Sequence, residues 1–506
     1  MQIISISAEM APWSKTGGLG DVCGALPLAL AKRGHRVMTV APRYEAYDDA
    51  WFTGVTADVD GHKIAFYHCE DQGVDRVFID HISIRRKGIY GNEHGSYGDN
   101  WFRFSLLCQG AILAALQLPL KGSVYTKGKD NSTAFLFHDW HASLTPGHLE
   151  TARRWGMFKE AASALVIHNL AHQGVHKKDL YPKLALPFDL YPALDMGGKV
   201  NLLKGGIMLA DKVVTVSPTY AKEICTPELG AGLDSVLRMR KKHLHGILNG
   251  IDIRSWDPKT DTHIASNYSA NNMQGKLICK RALQRELGLP SNTKAPIFGF
   301  ISRLDYQKGV DLIEQVLPFL LKRGAQVILL GTGDPKLEQF LHNANRHPNV
   351  AGLVRFSNEL AHKITAGSDF LLMPSRFEPC GLTQQHALEY GTIPIAHATG
   401  GLKDTIQNLN PWKSIGNGWC FSPLQANFFK QALRWALATY YDAPDEFHKL
   451  KKRAMLADRS WNVAASQYEK LLQNALYSRR QRDLTPRHFN ADLTFLLQRS
   501  PAQGSR

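Results

Sequence analysis

Short apolar runs recur along this chain, each stopped by a cluster of polar residues or glycines and followed by apolar positions at helical spacing. Residues 3–7, 36–40, 135–137 and 165–167 are such runs in the first half, and 297–301, 327–330, 370–373 and 393–396 in the second. Strand and helix in strict alternation force a parallel sheet with helices on both faces, because each crossover must return to the same edge. The pattern breaks between Leu248-Asn249-Gly250-Ile251-Asp252 and Pro258 and then restarts. The expected fold class is therefore α/β, with two Rossmann-like, doubly wound lobes. Residues 1–250 form the N-terminal lobe and 251–458 the C-terminal lobe. Residues 459–477 form a terminal helix returning to the first lobe, and 478–506, holding Arg479, Arg480, Arg482 and Arg487, a flexible basic tail with a short helix hinted at 493–497.

In open α/β sheets ligands bind outside the carboxyl ends of the strands, so the polar clusters there are the candidate chemistry. Glu378 lies in the proline-bracketed turn Pro374-Ser375-Arg376-Phe377-Glu378-Pro379-Cys380-Gly381-Leu382, between a strand and a helix. Arg303 and Lys308 share one strand-to-helix loop, opposite a Gly331-Thr332-Gly333 turn. Two such cations suit a diphosphate: Arg forks onto phosphate oxygens and Lys adds a point charge, so a leaving group is neutralised without metal. In the first half, Lys15-Thr16-Gly17-Gly18-Leu19-Gly20-Asp21 reads as a glycine loop before a helix over 22–32. Its spacing is not the dinucleotide fingerprint, and a phosphate or sugar contact is the reading kept. Thr399-Gly400-Gly401-Leu402 echoes it. His138-Asp139-Trp140-His141 and His168-Asn169 end two strands at no recognised zinc spacing. Asp58-Val59-Asp60, before Gly61, reads as a hairpin turn. Tyr97-Gly98-Asp99-Asn100-Trp101 suits stacking on a sugar ring and equally a surface loop.

The formal net charge of +15 favours an anionic partner. No nucleic-acid recognition module accompanies it, and no apolar run is long enough to span a bilayer. Neither nucleic acid nor membrane is an expected partner. Seven cysteines without a C-x-x-C pair fit a reducing compartment. The strand pattern begins at Ile3, so the expectation is a cytoplasmic protein, or a plastid one from which a transit peptide was removed. The sequons at Asn131 and Asn267 are then idle.

Six motifs in order resemble bacterial glycogen synthases and plastid starch synthases over residues 3–472. They are Lys15 to Val22, His138 to His141, His168-Asn169-Leu170-Ala171-His172-Gln173-Gly174, Asn249 to Asp252, Ser302-Arg303-Leu304 with Gln307-Lys308-Gly309, and Ser375 to Leu382. The wording Gly73-Val74-Asp75-Arg76-Val77-Phe78 is nearer the starch-synthase branch. The resemblance implies two lobes facing a central cleft, the GT-B arrangement. It implies transfer of glucose from ADP-glucose to the non-reducing end of an α-1,4-glucan primer, with retention and without a metal cofactor, in glycogen or starch biosynthesis. Carried over by position, Arg303 and Lys308 grip the diphosphate, with Gly331 and Gly333 beside them. Lys15, Gly17 and Gly18 close on phosphate and sugar. Glu378 contacts the donor, with Cys380, Gly381, Leu382 and Thr383 lining the same turn and Asn249 on the hinge side. His168 sits at the transferred glucose and Asp139 near the reacting centre, with Asp21, Asp99 and Asn100 on the sugar or acceptor side.

One departure stands out. Many related retaining transferases carry a second glutamate eight residues after the first, where this chain has His386, and synthases of this family usually show Leu-Tyr where it has Gln385-His386. Glu378 is left without a second carboxylate, against a double displacement, and His386 is expected to alter contacts near the phosphate. The same architecture would serve a retaining transferase using UDP-glucose. A catalytically silent glucan-binding protein would be marked by loss of Lys15, Arg303, Lys308 or Glu378, and all four are present.

Overall fold

The computed structural model describes residues 1–122 and 132–483. They form two compact units. One holds Met1–Val216, Ala221–Ile247 and the described chain from Trp461; the other holds Ser217–Tyr220 and Leu248–Ser460. The run Ser217–Tyr220, expected within the first lobe, groups with the second because Thr219 donates through N and Oγ1 to Asp404 at 2.7 and 2.6 Å.

The first unit is built on a nine-stranded sheet. From one edge its strands run Leu244–Gly246, Lys212–Thr215, Ala162–Ile167, Thr133–His138, Gln2–Ile6, Arg36–Pro42, Val74–Asp80, His62–Asp71 and Trp51–Val59. The last two join antiparallel and the others are parallel. Central strands such as Thr133–His138 and Ala162–Ile167 are buried at every position, as helices on both faces require, whereas the edge strand Trp51–Val59 is largely exposed. Asp58 Oδ1 accepts from Gly61 N at 2.9 Å in the turn that closes this edge hairpin. Helix Gly18–Lys32 starts four residues before the expected position. Gly18, Leu19, Gly20 and Asp21 are therefore helical, the loop is shortened to Lys15-Thr16-Gly17, and the Asp21 carboxylate lies in the first turn, where the helix dipole favours it.

Helix Trp461–Asp483 packs on helix Gly18–Lys32 and strand Ala162–Ile167. Arg33 and His35 both pair with Glu469, Arg479 with Glu150 and Asp211, and Arg480 with Glu160. Residues 478–483, expected in a tail, thus continue this helix: opposite charges on the first unit meet Arg479 and Arg480. Arg487, residues 493–497 and the sequon at Asn131 lie outside the described residues. Asn267 uses its side-chain amide to bridge the Pro258 and Asp261 carbonyls.

The second unit has a six-stranded, all-parallel sheet. Its order is Val350–Val354, Gln326–Gly331, Ile297–Ile301, Phe370–Met373, Ile393–His397 and Trp419–Phe421. Of the apolar positions at helical spacing, helix Val310–Lys322 buries Val310, Ile313, Val316, Leu317 and Leu320 in a core that includes Phe370 and Trp419, while Leu321 is only half-buried against it. Winding reverses between Ile297–Ile301 and Phe370–Met373, and in the first unit between Gln2–Ile6 and Thr133–His138. At such reversals adjacent crossovers leave on opposite faces and open a crevice at the carboxyl edge. Among the described residues no helix is long and apolar enough to cross a membrane.

Candidate active site

The reversal in the second unit brings Arg303, Lys308 and Glu378 onto neighbouring strand ends. Glu378 is buried, and its Oε2 accepts from Lys308 Nζ at 2.7 Å and from Ser375 Oγ at 3.0 Å. The carboxylate read from sequence as lacking a second carboxylate is ion-paired with one of the two candidate phosphate cations. An ammonium carries three donors, so the pair leaves donors for an incoming anion. The two segments are also laced by backbone: Arg376 N donates to Gln307 O at 2.8 Å and Gln307 Nε2 to Phe377 O at 3.0 Å. Arg303 is different. Its side chain is 68% exposed and touches Asp305 at 3.3 Å.

Around this pair, Gly401 N donates to Glu378 O at 3.0 Å, so the Thr399-Gly400-Gly401 echo packs on the turn itself. Gly381 has φ 68°, Leu382 precedes helix Thr383–Glu389, and Gln384 Nε2 bonds the Cys380 and Gly381 carbonyls. Burial pushes the Cys380 thiol up to about 12, against the opposing hydrogen bonds from Asn249. The thiol is therefore inert at neutral pH. Gly331 and Gly333 have a local reason to be glycine: a Cβ on either would run into the carbonyl oxygens of Ser302 and Leu304. They shape the loop that carries Arg303.

In the first unit the reversal gathers Glu9, the Lys15 loop, Asp139 and His168. Glu9, which the sequence reading passed over, is the organising carboxylate. It accepts from Thr16 N and Thr16 Oγ1 at 2.7 Å each, from Gly17 N at 3.2 Å and from Tyr90 Oη at 2.6 Å. The available signal was its place just past the first strand, the rule that singled out Glu378. Glu9→Ala is expected to speed amide exchange at Thr16 and Gly17 at least about tenfold, because both amides lose the carboxylate that accepts from them. Unchanged exchange in a mass-spectrometric measurement would show the loop is ordered otherwise. A Cβ at Gly17 meets nothing within 4 Å, so the unit's own packing does not demand glycine there. Lys15 Nζ pairs with Asp21 at 2.7 Å, both well exposed.

Asp139 is strongly perturbed in both backbone and charge. Its backbone sits at φ 56°, ψ −173°, a region nearly confined to glycine and costing about 1–3 kcal/mol. Its Oδ1 accepts from His168 N at 2.7 Å and Asn169 N at 3.4 Å. Burial raises its carboxyl to about 7, with Glu9 adding to the rise and the two amides opposing it. Burial holds His168 near 3, so its ring is neutral, and its Nε2 lies 2.9 Å from His138 Nδ1. His138 reaches Ser5 Oγ at 3.2 Å, and His141 stacks on Tyr90. The three polar residues of the His138–His141 motif thus point to different partners, and among the described residues no three His, Cys, Asp or Glu cluster as metal ligands.

Asp99 and Asn100 serve the scaffold. Arg86 grips Asp99 through both oxygens at 2.8 and 2.6 Å, while buried Asn100 bonds Tyr90 O at 2.8 Å and Arg103 Nη1 at 2.7 Å. Asn100 thereby supports Tyr90, the donor to Glu9. His386, expected near the phosphate, lies flat on Trp256, ring centroids 4.0 Å apart at 3°.

Residues 2–239 match the family described as the starch synthase catalytic domain, and 286–456 match glycosyl transferases group 1. Starch synthase 1 of Arabidopsis thaliana is 46% identical over 503 residues, covering 93% of this chain and 76% of that protein. Soluble starch synthase 1 of Solanum tuberosum is 47% identical over 501 residues, covering 93% and 78%. Both names carry the designation chloroplastic/amyloplastic. The catalytic domain of starch synthase IV from Arabidopsis thaliana, solved with ADP and acarbose, is 33% identical with a TM-score of 0.84 and covers 94% of this chain and 99% of its own. Sucrose-phosphate synthase from Thermosynechococcus elongatus, at 17% identity and a TM-score of 0.56, shares the fold and covers 94% of this chain. With two doubly wound units, this site and these likenesses, the chain belongs to the starch synthase family of GT-B glycosyltransferases.

Proposed function

We propose that the chain transfers glucose from ADP-glucose to the non-reducing end of an α-1,4-glucan, with retention at the anomeric carbon and release of ADP. The observation that carries this reading is the pairing of Lys308 with buried Glu378, with Arg303 exposed nearby, at the strand reversal of the second unit. The ADP in the starch synthase IV structure supports the choice of nucleotide.

Breaking a glycosyl–phosphate bond builds charge on the β-phosphate, and fixed cations stabilise that charge without reorganising. Arg303 and Lys308 take this role, which asks nothing of a metal. Glu378 holds Lys308 in place and contacts the donor, with Asn249, Cys380, Gly381, Leu382 and Thr383 beside it. The first unit supplies Lys15, Gly17 and Gly18 for phosphate and sugar, with Glu9 fixing their loop. Neutral His168 offers a hydrogen bond to the transferred glucose, and Asp139, titrating near neutrality, serves the reacting centre or the acceptor. Seven free cysteines suit a reducing compartment, the cytoplasm or a plastid.

The test is incorporation of labelled glucose into a glycogen primer from ADP-glucose and, separately, UDP-glucose. ADP-glucose is expected to be the better donor by at least about tenfold, a difference of about 1.4 kcal/mol in transition-state binding. Incorporation from neither donor removes the proposal, and preference for UDP-glucose replaces its donor.

A further inference from the structure

Three consecutive side chains on helix Thr383–Glu389 tie the Glu378 turn to other segments of the second unit. Gln384 bonds Thr405 Oγ1 at 3.1 Å as well as the turn carbonyls. Gln385 Nε2 reaches both Gly381 O, at 3.2 Å, and Asn249 O, at 3.3 Å. His386 stacks on Trp256. The opposite face of that indole is covered by His362, centroids 3.7 Å apart at 12°, from helix Asn358–Gly367. His362 is itself anchored: its Nδ1 lies 2.8 Å from Asp261 Oδ2, which also accepts from Tyr390 Oη at 2.6 Å. Trp256 is thus clamped between two imidazoles carried by two different helices.

Trp256 closes the loop that opens with Asn249, and its amide bonds Asp252 O at 3.0 Å. The loop has no regular secondary structure and is the first stretch of the second unit after the chain leaves the first at Ile247. Its middle is held by a backbone bond from Ile251 N to Arg459 O at 2.9 Å, and Gln385 and His386 grip its two ends. Parallel stacking of flat rings is worth about 0.5–1.5 kcal/mol beyond area burial, enough to bias a short loop between conformations.

We infer that His386 is a positioning residue: its stack on Trp256 fixes the 249–256 loop, and so sets Asn249 against the Cys380 and Glu378 turn that receives the nucleotide sugar. The position that holds a second carboxylate in many related transferases serves loop anchoring in this chain. A glutamate there would set an anion against the negative face of the indole. This inference rests on the donor-site reading proposed for Lys308 and Glu378.

The test compares His386→Ala, His386→Phe and His386→Glu in the full chain by two independent readouts. Hydrogen exchange over 249–256 is expected to rise in the Ala and Glu variants and to stay near wild type in the Phe variant, which keeps a flat ring. KM for ADP-glucose is expected to rise about three- to tenfold in the Ala and Glu variants, with kcat within about threefold, and to recover in the Phe variant. Unchanged exchange overturns the inference. Faster exchange with an unchanged KM also overturns it, leaving the stack a packing feature alone. An inactive wild type is a separate failure, that of the donor-site reading itself.

Discussion

Arg303→Ala is expected to cut turnover by about 10²- to 10³-fold while leaving the melting temperature unchanged. The loss is that of one preorganised charge facing the departing diphosphate, about 3–4 kcal/mol of transition-state stabilisation. The unchanged stability follows from exposure: the guanidinium is 68% exposed with one loose contact to Asp305, an arrangement worth close to nothing in the resting protein. Lys308→Ala should lower turnover at least as far, but it is a less clean experiment. It strands Glu378, a carboxylate 7% exposed, with only the Ser375 hydroxyl. Removing one partner of a buried pair costs about 3 kcal/mol. The double change Lys308→Met with Glu378→Gln removes both charges and should recover much of that stability without recovering turnover. Near wild-type rates in either single variant, with the protein folded, would remove the leaving-group role.

Asp139→Asn is the second large effect, and it separates stability from activity through pH. The folded carboxyl titrates at about 7 against an ordinary 3.8. Below about pH 4 both folded and unfolded chains hold the proton and the group contributes nothing. As pH rises toward 7 the unfolded chain sheds its proton first, so wild-type stability falls, by up to about 4 kcal/mol, and then levels off. Asparagine keeps the acceptor for the His168 and Asn169 amides and tolerates positive φ better than most residues. The variant should therefore match wild type near pH 4 and melt higher at pH 8. Turnover should drop by about 100-fold or more, and the residual rate should lack the limb near pH 7 that the wild type shows. Equal melting curves at both pH values would mean the carboxyl is not held protonated, and an unaltered pH–rate profile would take Asp139 out of the reaction.

The central strands, the doubly wound plan and the candidate residues were legible in sequence because they rest on local rules. Apolar runs buried on both faces, helical stripes such as Val310 to Leu320, and polar residues crowding strand ends are written within a few neighbours of one another. That is how Glu378, Lys308, Arg303, Asp139 and His168 could be singled out without coordinates. Local rules also failed locally: helix Gly18–Lys32 begins inside the glycine stretch, since glycine at a helix start has little to disrupt, and the last helix runs past Ser478.

What only the tertiary structure decided is who faces whom. Lys308 and Glu378 are 70 positions apart, and Trp256 meets His386 across a still longer stretch of chain. Glu9 became visible only through the four donors that converge on it, one of them 81 positions away. Asp139 drew its raised pKa from burial and its strain from the turn it must make. Periodicity decides which face a side chain takes within its own element. Partners across a parallel sheet are set by crossover connections whose packing no local pattern encodes, so the sequence determined the candidate residues, and the fold alone determined their pairings and their protonation.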